Sequence, residues 1–247
     1  MRQINTPRHL FLGAAALAAF LISAPLSFAV QTDDPLATTL EPALRKHDAQ
    51  ELQSLRSQLE ERVKQNPNDA QSEYQLARVH ACLADVAETG KDKKPASAEV
   101  DKAIDAVQRS IQLNDKSADA HSLLADLYGR KISLGNGMFA GPRYGPRVGE
   151  ENKRAMALDD KNPRVWASQG RQYLMTPKAF GGDVPKAIDS FQKSLAIDAS
   201  NDGTWYWLAR AYEKQGDKTK ARDALDHALQ LNPKNPLAQQ AAQSLDK

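Results

Sequence analysis

Apolar residues recur along most of the chain at intervals of three and four, the spacing that collects them on one face of an α-helix. The pattern is clearest between residues 202 and 235, where two such faces follow one another on either side of Gly216. The small residues Ala209 and Ala221 would let the two helices approach closely. This stretch therefore predicts a hairpin of two amphipathic helices, with faces formed by Trp205, Leu208 and Tyr212 and by Ala221, Leu225 and Ala228.

Similar hairpins precede it, each with a first helix, called helix A, and a second, called helix B. The four units are 48, 45, 39 and 34 residues long: 70–117, 118–162, 163–201 and 202–235. A half repeat, residues 48–69, comes before them and resembles one more helix B. Residues 30–47 are predicted to form a linker or partial helix that Pro42 interrupts, and residues 236–247 a helix that caps the last unit.

The last unit resembles a tetratricopeptide repeat (TPR) position by position. Its helix A has a large residue, a Leu-Ala pair and a tyrosine, and its helix B has alanines around an apolar residue before a closing proline: Trp205, Leu208, Ala209, Tyr212, Ala221, Leu225, Ala228 and Pro233. The resemblance covers about residues 48–247. It implies an all-α fold, a TPR-type α-solenoid of about four to five helical hairpins with a C-terminal capping helix.

The three longer units carry extra residues between helix A and helix B, which should gather on one edge of a solenoid. In the second unit, residues 129–149 hold six of the 13 glycines and no acidic residue. We expect a long basic loop here, in which Arg143, Tyr144 and Arg147 order around an anionic group or an acidic peptide. In the alternative, Phe139 and Tyr144 pack on the neighbouring repeat and the arginines are solvated. Phe180 and the glycines after it predict a similar aromatic plug with glycine turns in the third unit.

The resemblance also implies a binding surface, because TPR solenoids generally receive extended peptides on the concave face lined by helix A. The matching positions here are Tyr74, Arg78, Asp126, Arg130, Arg164, Arg171, Tyr206, Arg210 and Lys214. Cations outnumber acids among them, which favours an acidic or extended segment of a partner protein. The asparagines of the family's carboxylate clamp are missing, so a C-terminal peptide is not implied.

Residues 1–29 have the features of a secretory signal peptide: Arg2 and Arg8, then an uncharged apolar stretch, then small residues ending at Ala29. Cleavage there would leave a periplasmic or secreted protein without a membrane span, whereas an uncleaved anchor is the alternative. The signal holds two of the 33 basic residues and none of the 31 acidic ones. A formally neutral mature chain gives no reason to expect nucleic acid as a partner.

No catalytic or nucleotide-binding motif occurs in the sequence, and no histidine is paired with another histidine or a cysteine at a recognised metal spacing. Cys82 lies in an apolar helical run and is predicted to be a buried, inert thiol. His80 and His121 are predicted to face inward and to pack. We therefore expect a scaffold for protein–protein interaction with no enzyme activity, cofactor or metal. A small-ligand-binding or transporter-associated protein is the alternative, and the sequence leaves the oligomeric state open.

Overall fold

The computed structural model describes residues 35–90 and 92–245, so the predicted signal peptide lies outside the described residues. Over the described residues the chain forms helices and no strand, which confirms the predicted all-α fold. The helices are α1 Pro35–Lys46, α2 Ala49–Gln65, α3 Ala70–Glu88, α4 Lys94–Leu113, α5 Ala118–Leu134, α6 Gly137–Leu158, α7 Pro163–Met175, a short 3-10 helix Lys178–Phe180, α8 Val184–Ile197, α9 Asp202–Gln215, α10 Lys218–Leu231 and α11 Pro236–Leu245.

Short polar side chains start most of these helices. The side-chain oxygen of Asp69, for example, accepts hydrogen bonds from the backbone amides of Gln71 and Ser72, which have no partner within the helix. The same kind of cap begins eight more helices, at Asp48, Ser117, Asn136, Asn162, Asp183, Asn201, Asp217 and Asn235. These caps explain why apolar periodicity restarts where it does.

Neighbouring helices pair as antiparallel hairpins, α3 with α4, α5 with α6, α7 with α8 and α9 with α10. Helices α3, α5, α7 and α9 also contact one another in chain order, and α11 packs against α10. The helices A therefore form one continuous wall and the helices B lie behind it. In the hairpin of α7 and α8, Phe191 is fully buried against Gly170. None of the described helices is both long and apolar enough to span a membrane.

The glycine-rich segment of the second unit is a helix, so the prediction of a long loop there is wrong. Helix α6 begins at Gly137 and continues through Pro142 and Pro146. Each proline removes a backbone hydrogen bond, but packing along α5 offsets that loss. Tyr144 stacks on Tyr128 of α5 with ring centroids 5.5 Å apart, and the guanidinium of Arg147 lies 5.6 Å from the Tyr128 ring. Local propensity is overridden by contacts with the partner helix.

The two phenylalanines of the insertions do not plug the repeats. Phe139 is 74% exposed and Phe180 is 81% exposed, so the prediction of an aromatic plug is wrong for both. In the second unit the aromatic residue that packs against the main hydrophobic core is Tyr144, not Phe139. Helix α1 differs from expectation as well, because it continues through Pro42 to Lys46.

Candidate functional site

The wall of helices A encloses a central cavity of about 980 Å³. Its lining comes from α1, α3, α5, α7 and α9, from the turn before α9 and from the start of α11. Helices α4, α6, α8 and α10 contribute no lining residue. We call this space the central cavity, and the residues that line it form the concave face of the solenoid.

The two ends of the described chain meet beside the central cavity. The side-chain amide of Asn232 donates a 2.6 Å hydrogen bond to the backbone carbonyl of Arg45 and a second one to Asp202. Asn232 is buried, and helix α11 contacts α3. Because a buried amide without partners is costly, these bonds hold the end of α1 against the last hairpin. Residues from both ends of the described chain therefore take part in lining the cavity.

The structure places eight of the nine predicted partner-binding residues in the lining of the cavity: Arg78, Asp126, Arg130, Arg164, Arg171, Tyr206, Arg210 and Lys214. The ninth, Tyr74, is buried behind Arg78, whose guanidinium lies 5.8 Å from its ring. The insertion residues Arg143, Tyr144 and Arg147 lie on α6, outside the lining. Sequence reasoning missed Trp207, which packs edge-on against Tyr206 at 5.2 Å and lines the cavity.

Cations on each helix A bind the helix A before it, which makes a ladder along the cavity wall. Arg78 of α3 makes two hydrogen bonds with Glu41 of α1, at 2.6 and 2.9 Å. Three further rungs repeat the arrangement: Arg130 of α5 with Asp85 and Glu88 of α3, Arg171 of α7 with Asp126 of α5, and Lys214 of α9 with the carbonyl of Leu174 in α7. Two-pronged arginine–carboxylate contacts fix geometry as well as energy, so the ladder sets how successive repeats stack.

The ladder also changes the electrostatic prediction for the cavity. Among the described lining residues, seven are Lys or Arg and seven are Asp or Glu, so their formal charges balance. The expectation that positive charge dominates the groove is therefore wrong, because acids from helix A positions that were not singled out, among them Glu41, Asp85 and Glu88, also line the cavity. Three lining arginines remain exposed, Arg45, Arg164 and Arg210. Arg164 still contacts Asp119, and Arg210 still contacts Glu213.

Two buried histidines join helix A to helix B in successive units. His80 of α3 contacts Glu99 of α4 through Nδ1 at 2.6 Å, and His121 of α5 contacts Glu151 of α6 in the same way. The hydrogen bond with Glu151 raises the pKa of His121 above its ordinary value, against the opposing effect of burial. Both side chains face the hairpin interface, and neither lines the cavity.

A third histidine, His47, lies at the junction of α1 and α2 and lines the cavity beside Cys82 and Asp85. Burial alone would lower the pKa of His47, but the nearby Asp85 carboxylate and Cys82 sulfur raise it. Burial alone would raise the pKa of Asp85, but attraction to Arg130 and the contact with His47 lower it. Burial raises the pKa of the Cys82 thiol, which disfavours a free thiolate nucleophile.

Comparison with known proteins supports the family resemblance seen in the sequence. Residues 181–245 match the tetratricopeptide repeat family model. This part of the chain, which comprises α8 to α11, therefore carries a tetratricopeptide repeat. The crystal structure of TTC0263, a thermophilic TPR protein of Thermus thermophilus, superposes on 85% of this chain and 97% of its own length, with a TM-score of 0.62 and 18% identity. That likeness supports the TPR solenoid as the fold.

Two more similarities are weaker. The general transcriptional corepressor trfA of Dictyostelium discoideum is 24% identical to this chain over 138 residues, which are 55% of this chain and 9% of trfA. The matched part is thus a small fraction of trfA. YrrB, a TPR protein with an unusual peptide-binding site, aligns with 85% of this chain at 15% identity and a TM-score of 0.40, which is too low to support an argument.

Proposed function

We propose that this TPR protein is an exported scaffold that holds an extended segment of a partner protein in the central cavity. TPR solenoids in general are scaffolds for protein–protein interaction and are generally not catalytic. The observation that supports the proposal is the wall itself, in which every helix A turns side chains into one continuous cavity of about 980 Å³. An extended chain can contact all of these helices at once.

Contact energy in the cavity comes from aromatic surface, and orientation comes from exposed charge. Tyr206 and Trp207 are partly exposed, and such rings supply large desolvated contacts at binding sites. The arginines of the ladder hold carboxylates in partly buried pairs, whereas Arg45, Arg164 and Arg210 are exposed, and the pairs of Arg164 and Arg210 are exposed ones. An acidic side chain on the partner would therefore meet these three arginines. We propose acidic residues at those points of the segment, not a high overall negative charge.

Two tryptophans on α9 offer a matched test. Trp207 faces the cavity, whereas Trp205 stacks on His227 of α10 with ring centroids 4.5 Å apart and does not line it. A photo-crosslinking phenylalanine analogue is placed at one position or the other, and the cells are irradiated. We expect a discrete protein adduct from position 207 and no such adduct from position 205. Equal yields of the same adduct from both positions would exclude the cavity as the binding surface.

The exposed arginines provide the second arm of this test. The double substitution Arg164→Gln and Arg210→Gln should lower the yield of the adduct formed from position 207, because exposed ion pairs contribute about 0.2–1 kcal/mol each. It should also make that yield less sensitive to added salt. Arg154→Gln is the control, because Arg154 is half exposed and paired with Asp115 but lies on α6, outside the cavity lining. A yield unchanged by the double substitution would remove the electrostatic part of the proposal.

A small-ligand-binding or transporter-associated role is the second candidate. Contact between the two ends of the described chain beside the cavity favours this role, and the volume of about 980 Å³ lies within the ~300–1,000 Å³ range of small-molecule sites. Native mass spectrometry of freshly purified protein distinguishes the two roles. A retained small molecule, together with no adduct from position 207, would favour this second role.

A further inference from the structure

Three side chains with metal-binding atoms converge on one point of the central cavity wall. The ligand atoms of His47, Cys82 and Asp85 all lie within 4.8 Å of one another. Cys82 and Asp85 are three residues apart on α3, which places them on one face of the helix. His47 comes from a different element, the junction between α1 and α2, and its backbone is in the left-handed region with φ of +52°. Residues other than glycine rarely adopt this conformation, and such positions cluster at functional sites.

The size of this triangle suits a transition-metal ion. Three atoms no more than 4.8 Å apart share a point within about 2.8 Å of each, while zinc bonds to nitrogen, oxygen and sulfur are ~2.0–2.3 Å long. His47 Nε2 and Asp85 Oδ2 are 3.9 Å apart. Side-chain shifts of about half an ångström would therefore bring the three atoms to bonding distance. Small rotations about the side-chain bonds would produce shifts of this size.

The other polar atoms of these residues are held in the way that metal ligands usually are. Nδ1–H of His47 donates to the backbone carbonyl of Arg45 at 3.1 Å, so Nε2 is the ring atom that faces Asp85 and that would give up its proton to bind a metal. Oδ1 of Asp85 forms an ion pair with Nη1 of Arg130 at 2.9 Å, and Oδ2 is the oxygen that approaches His47. A ligating histidine commonly donates its other N–H to a carbonyl, and a ligating carboxylate is commonly hydrogen-bonded in turn.

We propose that His47, Cys82 and Asp85 form a site for a zinc ion in the wall of the central cavity. A nitrogen, a thiolate sulfur and a carboxylate oxygen are ligands that zinc accepts together, whereas magnesium and calcium prefer oxygen alone. All three residues line the cavity, so the fourth position of a tetrahedral ion is open to water or to a donor from the cavity occupant. The inference does not depend on the proposed function.

Zinc at this point would tie the junction of α1 and α2 to α3. The Cys82 thiol donates to the carbonyl of Leu44 at 3.3 Å, and metal binding would release this proton and the Nε2 proton of His47 to solvent. Because the ligands come from two parts of the chain, the ion binds the folded protein more tightly than the unfolded chain. Zinc should therefore raise the melting temperature of the protein.

Cobalt titration of the purified full-length protein tests the proposal. We expect a thiolate-to-cobalt charge-transfer band in the near ultraviolet that saturates at one equivalent of Co²⁺ and disappears when Zn²⁺ is added. Cys82→Ser should abolish the band, and His47→Asn should weaken Zn²⁺ binding at least tenfold, as loss of a ligand exceeds the ~10–100-fold effect of outer groups. Asparagine is chosen at position 47 because it tolerates the left-handed backbone.

His227→Gln is the matched control, because His227 stacks on Trp205 away from the cavity lining. Far-ultraviolet circular dichroism verifies that each variant is folded, and Cys82→Ala replaces Cys82→Ser if the latter is not. Three results would each overturn the proposal: no band from the wild type with excess Co²⁺, a band that survives loss of Cys82, or equal Zn²⁺ affinity and thermal shift in the His47 and His227 variants.

Discussion

Gly170→Ala should destabilise the protein by about 1–3 kcal/mol, the usual cost of overfilling a packed core. A Cβ atom at position 170 would lie 2.6 Å from Cε1 of Phe191, closer than real Cβ contacts come. The Phe191 ring is fully buried between α7 and α8, so it cannot move aside without displacing its own neighbours. Equilibrium denaturation in urea measures the change through the midpoint at constant slope.

Two further variants show whether the clash is the cause. Gly129→Ala is the control, because a Cβ at position 129 of α5 meets nothing within 4 Å, and alanine favours helix by up to about 1 kcal/mol. Phe191→Leu is destabilising by itself, but it should reduce the cost of Gly170→Ala in the double variant. If Gly170→Ala is as stable as Gly129→Ala, the packing of α7 against α8 differs from that described.

Arg130→Met should destabilise the protein by about 3 kcal/mol, the lower end of the cost of breaking a buried ion pair. The Arg130 side chain is 19% exposed, and it binds Asp85 and Glu88 at 2.9 Å each and the carbonyl of Ala81 at 3.0 Å. Methionine keeps much of the length of the side chain but leaves both carboxylates without their cation. The substitution removes the contacts that join α5 to α3, and urea denaturation again measures the change in the free energy of unfolding.

Arg154→Met is the comparison for that rung. Its guanidinium pairs with Asp115 at 3.2 Å, but both side chains are at least half exposed, so the expected change is below about 1 kcal/mol. Equal effects of the two substitutions would mean that the ladder contributes no more than an ordinary surface ion pair. The account of how successive repeats are held in register would then be incorrect.

The hairpins could be predicted because helical periodicity and capping residues are local signals. Asp69 and the apolar residues that follow it mark the start of α3 without any knowledge of the tertiary structure. Helix α6 could not be predicted in the same way, because its glycines and prolines oppose a helix locally. Stacking of Tyr144 on Tyr128 comes from another helix, and no pattern within residues 129–149 contains it.

Local signals also predicted some residues of the site, whereas other residues depend on contacts between helices. Cations of the cavity wall follow from their positions in helix A, so Arg78 and Arg171 could be named from the sequence. Their partners Glu41 and Asp126 lie 37 and 45 residues earlier, and only the packing of helices brings them together. His47 could not be assigned to the cluster with Cys82 and Asp85 for the same reason, because it lies far from both in the sequence. The spacing of Cys82 and Asp85 on α3 was a usable signal for two ligands, but not for the third.

The solenoid closes on itself, because the two ends of the described chain are in contact and residues of both α1 and α11 line the cavity. Spin labels at Lys46 and Lys234, in a Cys82→Ser background, measure this closure directly by double electron–electron resonance. Both positions are exposed, and they lie beside the contact between Arg45 and Asn232. The structure predicts one narrow peak at the short end of the measurable range. A broad distribution at long distances would show an open superhelix and contradict the account.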